Sequence, residues 1–554
     1  MTTAKNPRGS RKAPDAATTP DAVVGDTQCA VQITAKNRLV VNPEMPVPPV
    51  GPTQLLLQIE ACGICFSDTK LMHAFEAHPR KSPILGGLSE EELAEIPTYR
   101  PGADPIVPGH EPVARVAKVG EQVSRFHPGQ RVLVQTDYRH LPTAASNGAL
   151  GYDFDGGLQQ YALVDERMVV DPSSGESYLI EVGDSATSSA IALIEPWACV
   201  ETAYAWAERQ TVAPGGRLLV VVDAGFEPEG LDEAVAGAGQ RVDASAEDLP
   251  DGIFDDIVYV GADAAKVEAL SSRLAKHGLM NIVTCGRAFD RPVGIDVGRI
   301  HYDLIRYCGT RGDRVGDGYA WIPPSCELRP MDKVAVIGAA GPMGLMHAVR
   351  AASAPISGVQ LDAVDVDDDR LGRLQQVLEP IADSHDVVTR VVNSTRTPLV
   401  PGSYSYVALM VPSPDLLCQA VELAGRRAII NAFAGFAVGT VAPVDLNGLL
   451  HRRVYLVGTS GSRVSDMETV WRRVESGELD TNISLDAICG MAGVPDAIAS
   501  VDTRTSQGKI VVYPGLPDLG LIRLGDLPWR LPEVAAAMEG GRWTKQAEEL
   551  LLGS

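Results

Sequence analysis

A repeated segment places two related units in the middle of this chain of 554 residues. Residues 294–312 (GIDVGRIHYDLIRYCGTRG) and 443–461 (PVDLNGLLHRRVYLVGTSG) match at a constant offset of 149 residues. Upstream of each copy the sequence alternates a strand, a helix and a second strand, which is typical of units with parallel sheets. The repeat therefore predicts two related α/β units between residues 216 and 465.

The two copies differ where they begin. The second copy starts with a strand at 333–338, followed by a glycine-rich turn at 339–344 and a helix. Its next strand ends at Asp365, 21 residues after Gly344. This order is the one that a dinucleotide site requires, with the pyrophosphate at the helix N-terminus and the acid on the ribose. The first copy has no such turn, and its shorter spacing predicts a missing βα unit.

The glycine-rich turn predicts the residues that would hold the cofactor. The carboxylate of Asp365 would repel a 2′-phosphate, so we predict NAD rather than NADP. Ala339 stands where the first glycine is usual, and Gly338 eases the turn instead. A unit of this shape without a ligand is the alternative. The predicted cofactor-binding residues are Gly338, Ala340, Gly341, Pro342, Met343, Gly344 and Asp365.

Two short segments near the N-terminus carry side chains that bind metal ions. Cys62 and Cys65 lie in one of them, and His110 with Glu111 lies in the other, 45 residues after Cys65. A thiolate, an imidazole and a carboxylate suit Zn²⁺, and three protein ligands with an open position are typical of a catalytic site. A structural site is the alternative, but the chain has no second Cys-x-x-Cys pair.

These segments, taken with two later ones, resemble the zinc-containing medium-chain alcohol and polyol dehydrogenases. The later motif EPWAC is similar to the Glu-Pro motif of the sorbitol dehydrogenase-like branch, and the chain also resembles the branch of L-sorbose 1-phosphate reductases. The resemblance covers about residues 27–205 and 330–515. The motifs that carry it are CFSD at 65–68, GHE at 109–111, EPWAC at 195–199 and GPMG at 341–344.

The resemblance implies roles for a small group of residues. Ser67 would hydrogen-bond the substrate oxygen and begin a proton relay, and Asp68 would orient the histidine ligand. Residues 111–198 contain no cysteine, so the lobe that carries a structural zinc in many relatives has no counterpart. One catalytic zinc is therefore implied. Its implied ligands are Cys65, His110 and either Glu111 or Glu195.

The predicted fold class is α/β plus β. It combines a GroES-like β-barrel catalytic domain, a Rossmann dinucleotide-binding domain and a second, degenerate Rossmann-like unit. The predicted segments are a disordered tail at 1–26, the catalytic domain at 27–205 with an insertion at 73–104, the degenerate unit at 206–320, the NAD-binding domain at 321–490, and a strand that returns to the catalytic domain with a helical tail at 491–554.

Composition limits the partners and the compartment. The formal net charge of −23 argues against nucleic acid or an anionic membrane as a partner. Nine scattered cysteines argue against a disulfide framework and fit a reducing cytoplasm. No apolar run reaches the length of a membrane span. We therefore expect a cytoplasmic protein that acts on a small molecule. Separately from composition, we also expect a homo-oligomer, a dimer or tetramer.

The reaction implied is hydride transfer between NAD(H) and a secondary alcohol or ketone of a polyol, cyclitol or sugar phosphate. A redox-neutral epimerase or lyase that uses the same zinc and NAD is the second hypothesis, and a non-catalytic scaffold is the third. Basic residues of the insertion are candidates for binding a phosphate, with a solvated basic loop as the alternative. They are His73, His78, Arg80 and Lys81.

Overall fold

A mainly antiparallel sheet organises the first part of the protein. The structure is a computed structural model that describes residues 24–245 and 249–553, so residues 1–23 of the predicted tail lie outside it. The predicted insertion at 73–104 contains one α-helix, which Ser89 caps with a hydrogen bond from the backbone N–H of Glu92. The elements of this part are β1 (Thr27–Ala35), β2 (Arg38–Pro46), β3 (Gln54–Ile64), α1 (Phe66–Ala74), α2 (Glu90–Ala94), β4 (Glu111–Val119), β5 (Arg131–Val134), β6 (Asp137–Pro142), β7 (Asn147–Ala149), β8 (Tyr161–Asp165), α3 (Glu166–Val169), β9 (Leu179–Glu181), α4 (Ser188–Ala192) and α5 (Ile194–Ala205).

A five-stranded parallel sheet follows, which we call the first unit (Arg217–Tyr319). Its strand order in the described residues is β11-β10-β12-β13-β15. Its inner strands are runs of buried aliphatic residues, as expected for a parallel sheet covered on both faces. Its elements are β10 (Arg217–Val222), α6 (Leu231–Ala234), β11 (Gln240–Ser245), β12 (Phe254–Val260), α7 (Ala264–Ser271), β13 (Leu274–Val283), β14 (Val293–Asp296), α8 (Val297–Tyr302), β15 (Arg306–Thr310) and α9 (Gly316–Tyr319).

A six-stranded parallel sheet forms the second unit (Lys333–Glu475). Its order, β18-β17-β16-β19-β20-β22, is that of a doubly wound dinucleotide-binding sheet. The first unit lacks a counterpart of β18 among its described strands, which agrees with the predicted loss of one βα unit. The elements are β16 (Lys333–Ile337), α10 (Pro342–Ala352), β17 (Gln360–Asp365), α11 (Asp368–His385), β18 (Val388–Asn393), β19 (Tyr404–Leu409), α12 (Pro414–Leu423), β20 (Ala424–Asn431), β21 (Val441–Val444), α13 (Leu446–Arg452), β22 (Tyr455–Val457) and α14 (Val464–Glu475).

The C-terminal segment returns to the first sheet. Strand β24 pairs antiparallel with β3, with Ile510 opposite Ile64, and so joins the beginning and the end of the chain. The last elements are β23 (Leu485–Cys489), α15 (Val494–Asp502), β24 (Lys509–Val512), β25 (Ile522–Arg523), α16 (Leu527–Arg530), α17 (Pro532–Ala536) and α18 (Lys545–Gly553). Short 3₁₀ helices lie at Phe75–Ala77, Pro79–Lys81, Thr481–Ser484, Met491–Gly493 and Leu524–Asp526. No helix of the described residues is long and apolar enough to cross a membrane.

Candidate active site

Cys65 lies at the N-terminal end of a helix. Strand β3 ends at Ile64 and α1 begins at Phe66, so Cys65 is the cap residue between them. Its backbone N–H donates to Oδ2 of Asp68 at 2.9 Å, and the N–H of Asp68 donates to the carbonyl of Cys65 at 3.1 Å. The carboxylate also benefits from the positive end of the helix dipole. This turn keeps the thiol and the carboxylate in a fixed relation to each other.

The other oxygen of Asp68 holds His110. Oδ1 accepts hydrogen bonds from Nδ1 of His110 at 3.1 Å and from the N–H of Gly109 at 3.3 Å. The carboxylate thereby favours the proton on Nδ1 and leaves Nε2 as the atom for a metal or a hydroxyl. Nε2 lies 3.0 Å from Oγ of Ser67. The arrangement matches the orienting role predicted for Asp68.

Burial and charge act against each other in this pair. Burial alone would lower the pKa of His110, but Tyr152 and Asp68 raise it well above its ordinary value. Burial alone would raise the pKa of Asp68, whereas the charge and hydrogen bond of His110 lower it. Asp68 is therefore a carboxylate that polarises the imidazole.

Glu111 begins β4 and has no exposed surface. Oε1 accepts a hydrogen bond from Nζ of Lys509 at 2.6 Å, and the same ammonium donates to the carbonyl of Ile64 at 2.8 Å. Oε2 has no hydrogen-bond partner among the described residues. A Cβ on Gly63 would lie 1.9 Å from Oε2, so glycine at this position makes room for the carboxylate. Glu111 thus presents one buried, unpaired oxygen.

Three of the predicted ligands form one compact donor set. The ligand atoms of Cys65, His110 and Glu111 lie within 4.8 Å of one another. Zinc takes sulfur at about 2.3 Å and nitrogen or oxygen at about 2.0–2.2 Å, so small side-chain movements would let one ion contact all three. The unpaired oxygen of Glu111 gives such an ion a negative ligand inside the protein. The donor set fits the predicted catalytic zinc.

Glu195 lies next to this donor set. In the described residues the set consists of Cys65, His110 and Glu111 and does not include Glu195. It projects from α5 and is 9% exposed. Burial, followed by the charge of Glu111, raises the pKa of Glu195 to about 7. Its Oε1 accepts a hydrogen bond from Sγ of Cys199 at 3.4 Å. Of the two carboxylates that the sequence left open, Glu111 is the one with the geometry of a ligand.

Cys199 and Tyr152 were not assigned a role from the sequence. Cys199 follows Glu195 by four residues, and this helical spacing is the signal that places both on one face of α5. Tyr152 comes from the turn after β7, and its ring lies 5.3 Å from that of His110. The ring of His78 stacks on it at 5.2 Å, and the guanidinium carbon of Arg80 lies 5.3 Å from its centroid. No local motif identifies Tyr152.

The other two basic residues of the insertion have structural contacts. His73 lies 2.6 Å from the amide oxygen of Asn37 and 2.8 Å from the carboxylate of Asp502. Lys81 is fully buried, and its ammonium donates to the carbonyls of residues 100 and 104 at 2.6 and 2.9 Å. Only His78 and Arg80, of the four predicted candidates, are near the donor set.

The glycine-rich turn of the second unit brings α10 close to the strand that precedes it. Gly338 has φ 82°, a conformation that favours glycine. Gly341 caps α10, and Pro342 occupies its first turn. A Cβ on Gly344 would lie 2.0 Å from the carbonyl of Gly338, so only glycine allows this helix to approach its strand. Met343, also in the first turn, is partly buried.

Asp365 contacts the same turn from the neighbouring strand. Its Oδ2 accepts a hydrogen bond from the N–H of Ala340 at 3.0 Å, and Oδ1 accepts one from the N–H of Val366 at 2.7 Å. The N–H of Ala339 donates to the carbonyl of Val364 at 3.0 Å. The carboxylate therefore lies at the edge of the predicted pyrophosphate site, where a ribose would lie.

The corresponding edge of the first unit is filled by side chains. Asp223 follows β10, and its carboxylate accepts hydrogen bonds from the hydroxyl of Tyr259 at 2.7 Å and from the ammonium of Lys266 at 2.9 Å. The Tyr259 hydroxyl in turn accepts the N–H of Asp263 at 3.0 Å. This network lies at the end of β10, the strand that corresponds to β16 in the order of the second sheet.

Replacing Asp68 with asparagine should weaken zinc binding by about 10–100-fold, because the amide lacks the charge that polarises His110. Competition with a chelator of known affinity measures this change. Asp155→Asn is the matched control, since Asp155 is a buried carboxylate that accepts the N–H of Val107 at 2.9 Å, outside the donor set. Equal zinc affinity in the Asp68 variant and the wild type would contradict the orienting role.

Parts of this chain are similar in sequence to known dehydrogenases and reductases. The family model of the alcohol dehydrogenase GroES-like domain matches residues 51–173. The chain is 25% identical over 236 residues to L-sorbose 1-phosphate reductase of Klebsiella pneumoniae, which covers 41% of this chain and 56% of the relative. It is 31% identical over 156 residues to an alcohol dehydrogenase of Rhizobium meliloti, which covers 26% of this chain and 39% of the relative. The chain spans about half the length of the curated relatives it matches.

A solved structure confirms the predicted fold class. The 2R,3R-butanediol dehydrogenase of Bacillus subtilis superposes with a TM-score of 0.52 at 16% identity, covering 88% of this chain and 100% of that structure. At this level of identity the likeness concerns the fold: a GroES-like domain joined to Rossmann-type parallel sheets.

Proposed function

This chain carries an alcohol dehydrogenase GroES-like domain and has a medium-chain dehydrogenase fold, and from that premise we propose that it is a zinc-dependent oxidoreductase. It transfers hydride between NAD(H) and a secondary alcohol or ketone of a polyol, cyclitol or sugar phosphate. The observation that carries this proposal is the compact donor set, with Asp68 behind its histidine. Zinc bound there supplies Lewis-acid chemistry, and NAD supplies the hydride acceptor.

The protein's own residues hold the substrate and move its proton. Cys65, His110 and Glu111 would bind the metal, and Asp68 keeps Nε2 of His110 directed at it. Oγ of Ser67, which lies 3.0 Å from that nitrogen, would accept the proton of the substrate hydroxyl and donate its own toward solvent or a cofactor ribose. Glu195, which is buried, and Cys199, which is partly exposed, lie beside the donor set.

The second unit binds the cofactor in this proposal. The N-terminus of α10 faces the pyrophosphate, and Asp365 accepts hydrogen bonds from the ribose hydroxyls. The preference for NAD over NADP rests on the charge of Asp365. The first unit takes no part in cofactor binding, because the ion pair of Asp223 and Lys266 occupies the equivalent edge.

Replacing Asp365 with asparagine should raise the dissociation constant of NADH by about 10–100-fold, the range expected for hydrogen bonds to a charged acceptor. The preference for NADH over NADPH should fall as well, because the repelling charge is lost. Fluorescence titration with both cofactors measures the two effects. Asp223→Asn is the control from the first unit. A loss of NADH affinity in that variant, with none in the Asp365 variant, would indicate that the cofactor binds to the first unit.

The test of the reaction is direct. Zinc per chain is measured on the purified protein, and NADH formation is followed at 340 nm with polyols, cyclitols and their phosphates. NADH that accumulates in step with the product supports the dehydrogenase. A substrate that is converted without NADH accumulation would favour the redox-neutral epimerase or lyase. Protein that binds neither zinc nor NADH would favour the scaffold.

The residues near His110 guide the choice of substrates for that experiment. Phosphorylated substrates belong in the screen because Arg80 and His78 pack on Tyr152, next to His110. A matching relative is named for a sugar phosphate.

A reducing compartment such as the cytoplasm is supported by the cysteines, all nine of which lie in the described residues and are free.

A further inference from the structure

The two units contact each other through equivalent segments. Strands β14 and β21 are counterparts in the repeat, and they pair antiparallel. Gly294 lies opposite Pro443, which is its own counterpart at the offset of 149 residues. The residue pairs on either side of this one are equivalent to each other, because the offset of 149 residues converts one pair into the other. A pairing in which a segment meets its own counterpart is the mark of a two-fold axis.

The same two-fold relation holds for the contacts of two glycines that are counterparts in the repeat. A Cβ on Gly309 would lie 2.9 Å from the side chain of Leu450, and a Cβ on Gly458 would lie 3.0 Å from Cα of His301. Gly309 and Gly458 are counterparts, and so are His301 and Leu450. Each unit thus inserts the same helical position against the same glycine of the other.

A third contact between the units also occurs at both equivalent positions, but different residues form it in the two copies. A Cβ on Gly298 would lie 2.7 Å from Cα of Val438. Asn447, the counterpart of Gly298, accepts the N–H of Phe289 at 2.9 Å and donates to its carbonyl at 3.0 Å. Phe289 is the counterpart of Val438. The position is kept although the residues have diverged.

The buried carboxylate of Glu208 joins one further pair of counterparts. Arg306 on β15 and Tyr455 on β22 are counterparts, and both donate to Glu208, at 3.0 and 2.7 Å. Arg306 also donates to the carbonyl of Gly458 at 3.0 Å. Glu208 lies in the connection between α5 and the first unit, so the chain supplies one asymmetric group at the centre of the pair.

We infer that the first unit is a built-in partner of the second, so that one chain forms the two-fold pair that two subunits form in an isologous dimer. Strands β14 and β21, and the edges β15 and β22 beneath them, cover each other inside the chain. The pairing surface of the second unit is therefore not open to another copy. The protein is a monomer in solution, in place of the homo-oligomer expected from the sequence.

The built-in partner also reaches the catalytic domain. Nζ of Lys70 on α1 donates to the hydroxyl of Tyr302 on α8 at 3.5 Å. A Cβ on Gly435 of the second unit would lie 3.0 Å from that hydroxyl and 3.2 Å from Nζ. Tyr302 thus lies where both units meet the helix that carries Ser67. The first unit therefore contributes Tyr302 to the surroundings of that helix.

Light scattering coupled to size exclusion tests the inference on the full chain. At about 1–100 μM protein we expect one species with the mass of a single chain, 58.8 kDa. A species of twice that mass over this range would overturn the inference. The result does not depend on activity, so it stands or fails separately from the proposed reaction.

Cysteine cross-linking identifies which chains are paired. In Gly294→Cys/Pro443→Cys the two new thiols face each other across β14 and β21, at the Cα separation of an antiparallel pair, which a disulfide can span. Oxidation should consume these two thiols and leave the nine native thiols titratable, with the mass of a single chain on a non-reducing gel. A disulfide-linked dimer that the wild type does not form under the same oxidant would overturn the inference.

Discussion

Cys65→Ser should lose both zinc and activity. We expect metal content to fall from one ion per chain to below about one tenth, and NADH formation to fall by at least about 100-fold. The reason is that a serine hydroxyl stays protonated at neutral pH and cannot replace the thiolate as a soft, charged ligand. Elemental analysis of the purified variant and the assay at 340 nm measure the two losses. A variant that keeps zinc and activity would remove Cys65 from the site.

Cys62→Ala is the matched control for this experiment. Cys62 has no exposed surface, and its thiol contacts the carbonyl of Gly63 at 3.5 Å. Burial raises the pKa of Cys62, so its thiol stays protonated and is a poor metal ligand. We expect this variant to retain the zinc and most of the activity. The contrast between two cysteines three residues apart separates ligand loss from general damage.

The local part of the site could be predicted from the sequence. Cys65, Ser67 and Asp68 lie within one turn at the start of α1, so their spacing alone fixes their relation. The same holds for the glycine-rich turn, where strand, turn and helix are consecutive. His110 is brought to them because β3 and β4 pair antiparallel, with Gly63 opposite Glu111. The intervening insertion hides this register in the sequence, so only the ligand chemistry of these residues and the family resemblance indicated that they meet.

The choice of the third ligand depended on a contact that the sequence does not reveal. Lys509 lies 398 residues after Glu111 and reaches it because β24 joins the sheet beside β3. This pairing leaves one oxygen of Glu111 bound and the other unpaired, whereas Glu195 contacts Cys199. The repeat likewise predicted two units, but their reciprocal pairing follows from the tertiary fold. Long-range pairing has no periodic signature in a single sequence.

Lys509→Met should cost about 3–5 kcal/mol of stability in the zinc-free protein, because it leaves the buried carboxylate of Glu111 without a counter-charge. Burial alone would lower the pKa of Lys509, but the charge and hydrogen bond of Glu111 raise it, so Lys509 carries its positive charge. Bound zinc would supply the missing positive charge. The loss should therefore shrink in the zinc-loaded protein, if Glu111 is a ligand.

Thermal unfolding of chelated and zinc-loaded protein measures this difference as a change in the midpoint temperature. Lys81→Met is the matched control, because Lys81 is also buried and its ammonium donates to two carbonyls away from the donor set. Its loss of stability should be the same with and without zinc. In the Lys509 variant, a loss that zinc does not reduce would mean that Glu111 does not bind the metal, and would return Glu195 as the third ligand.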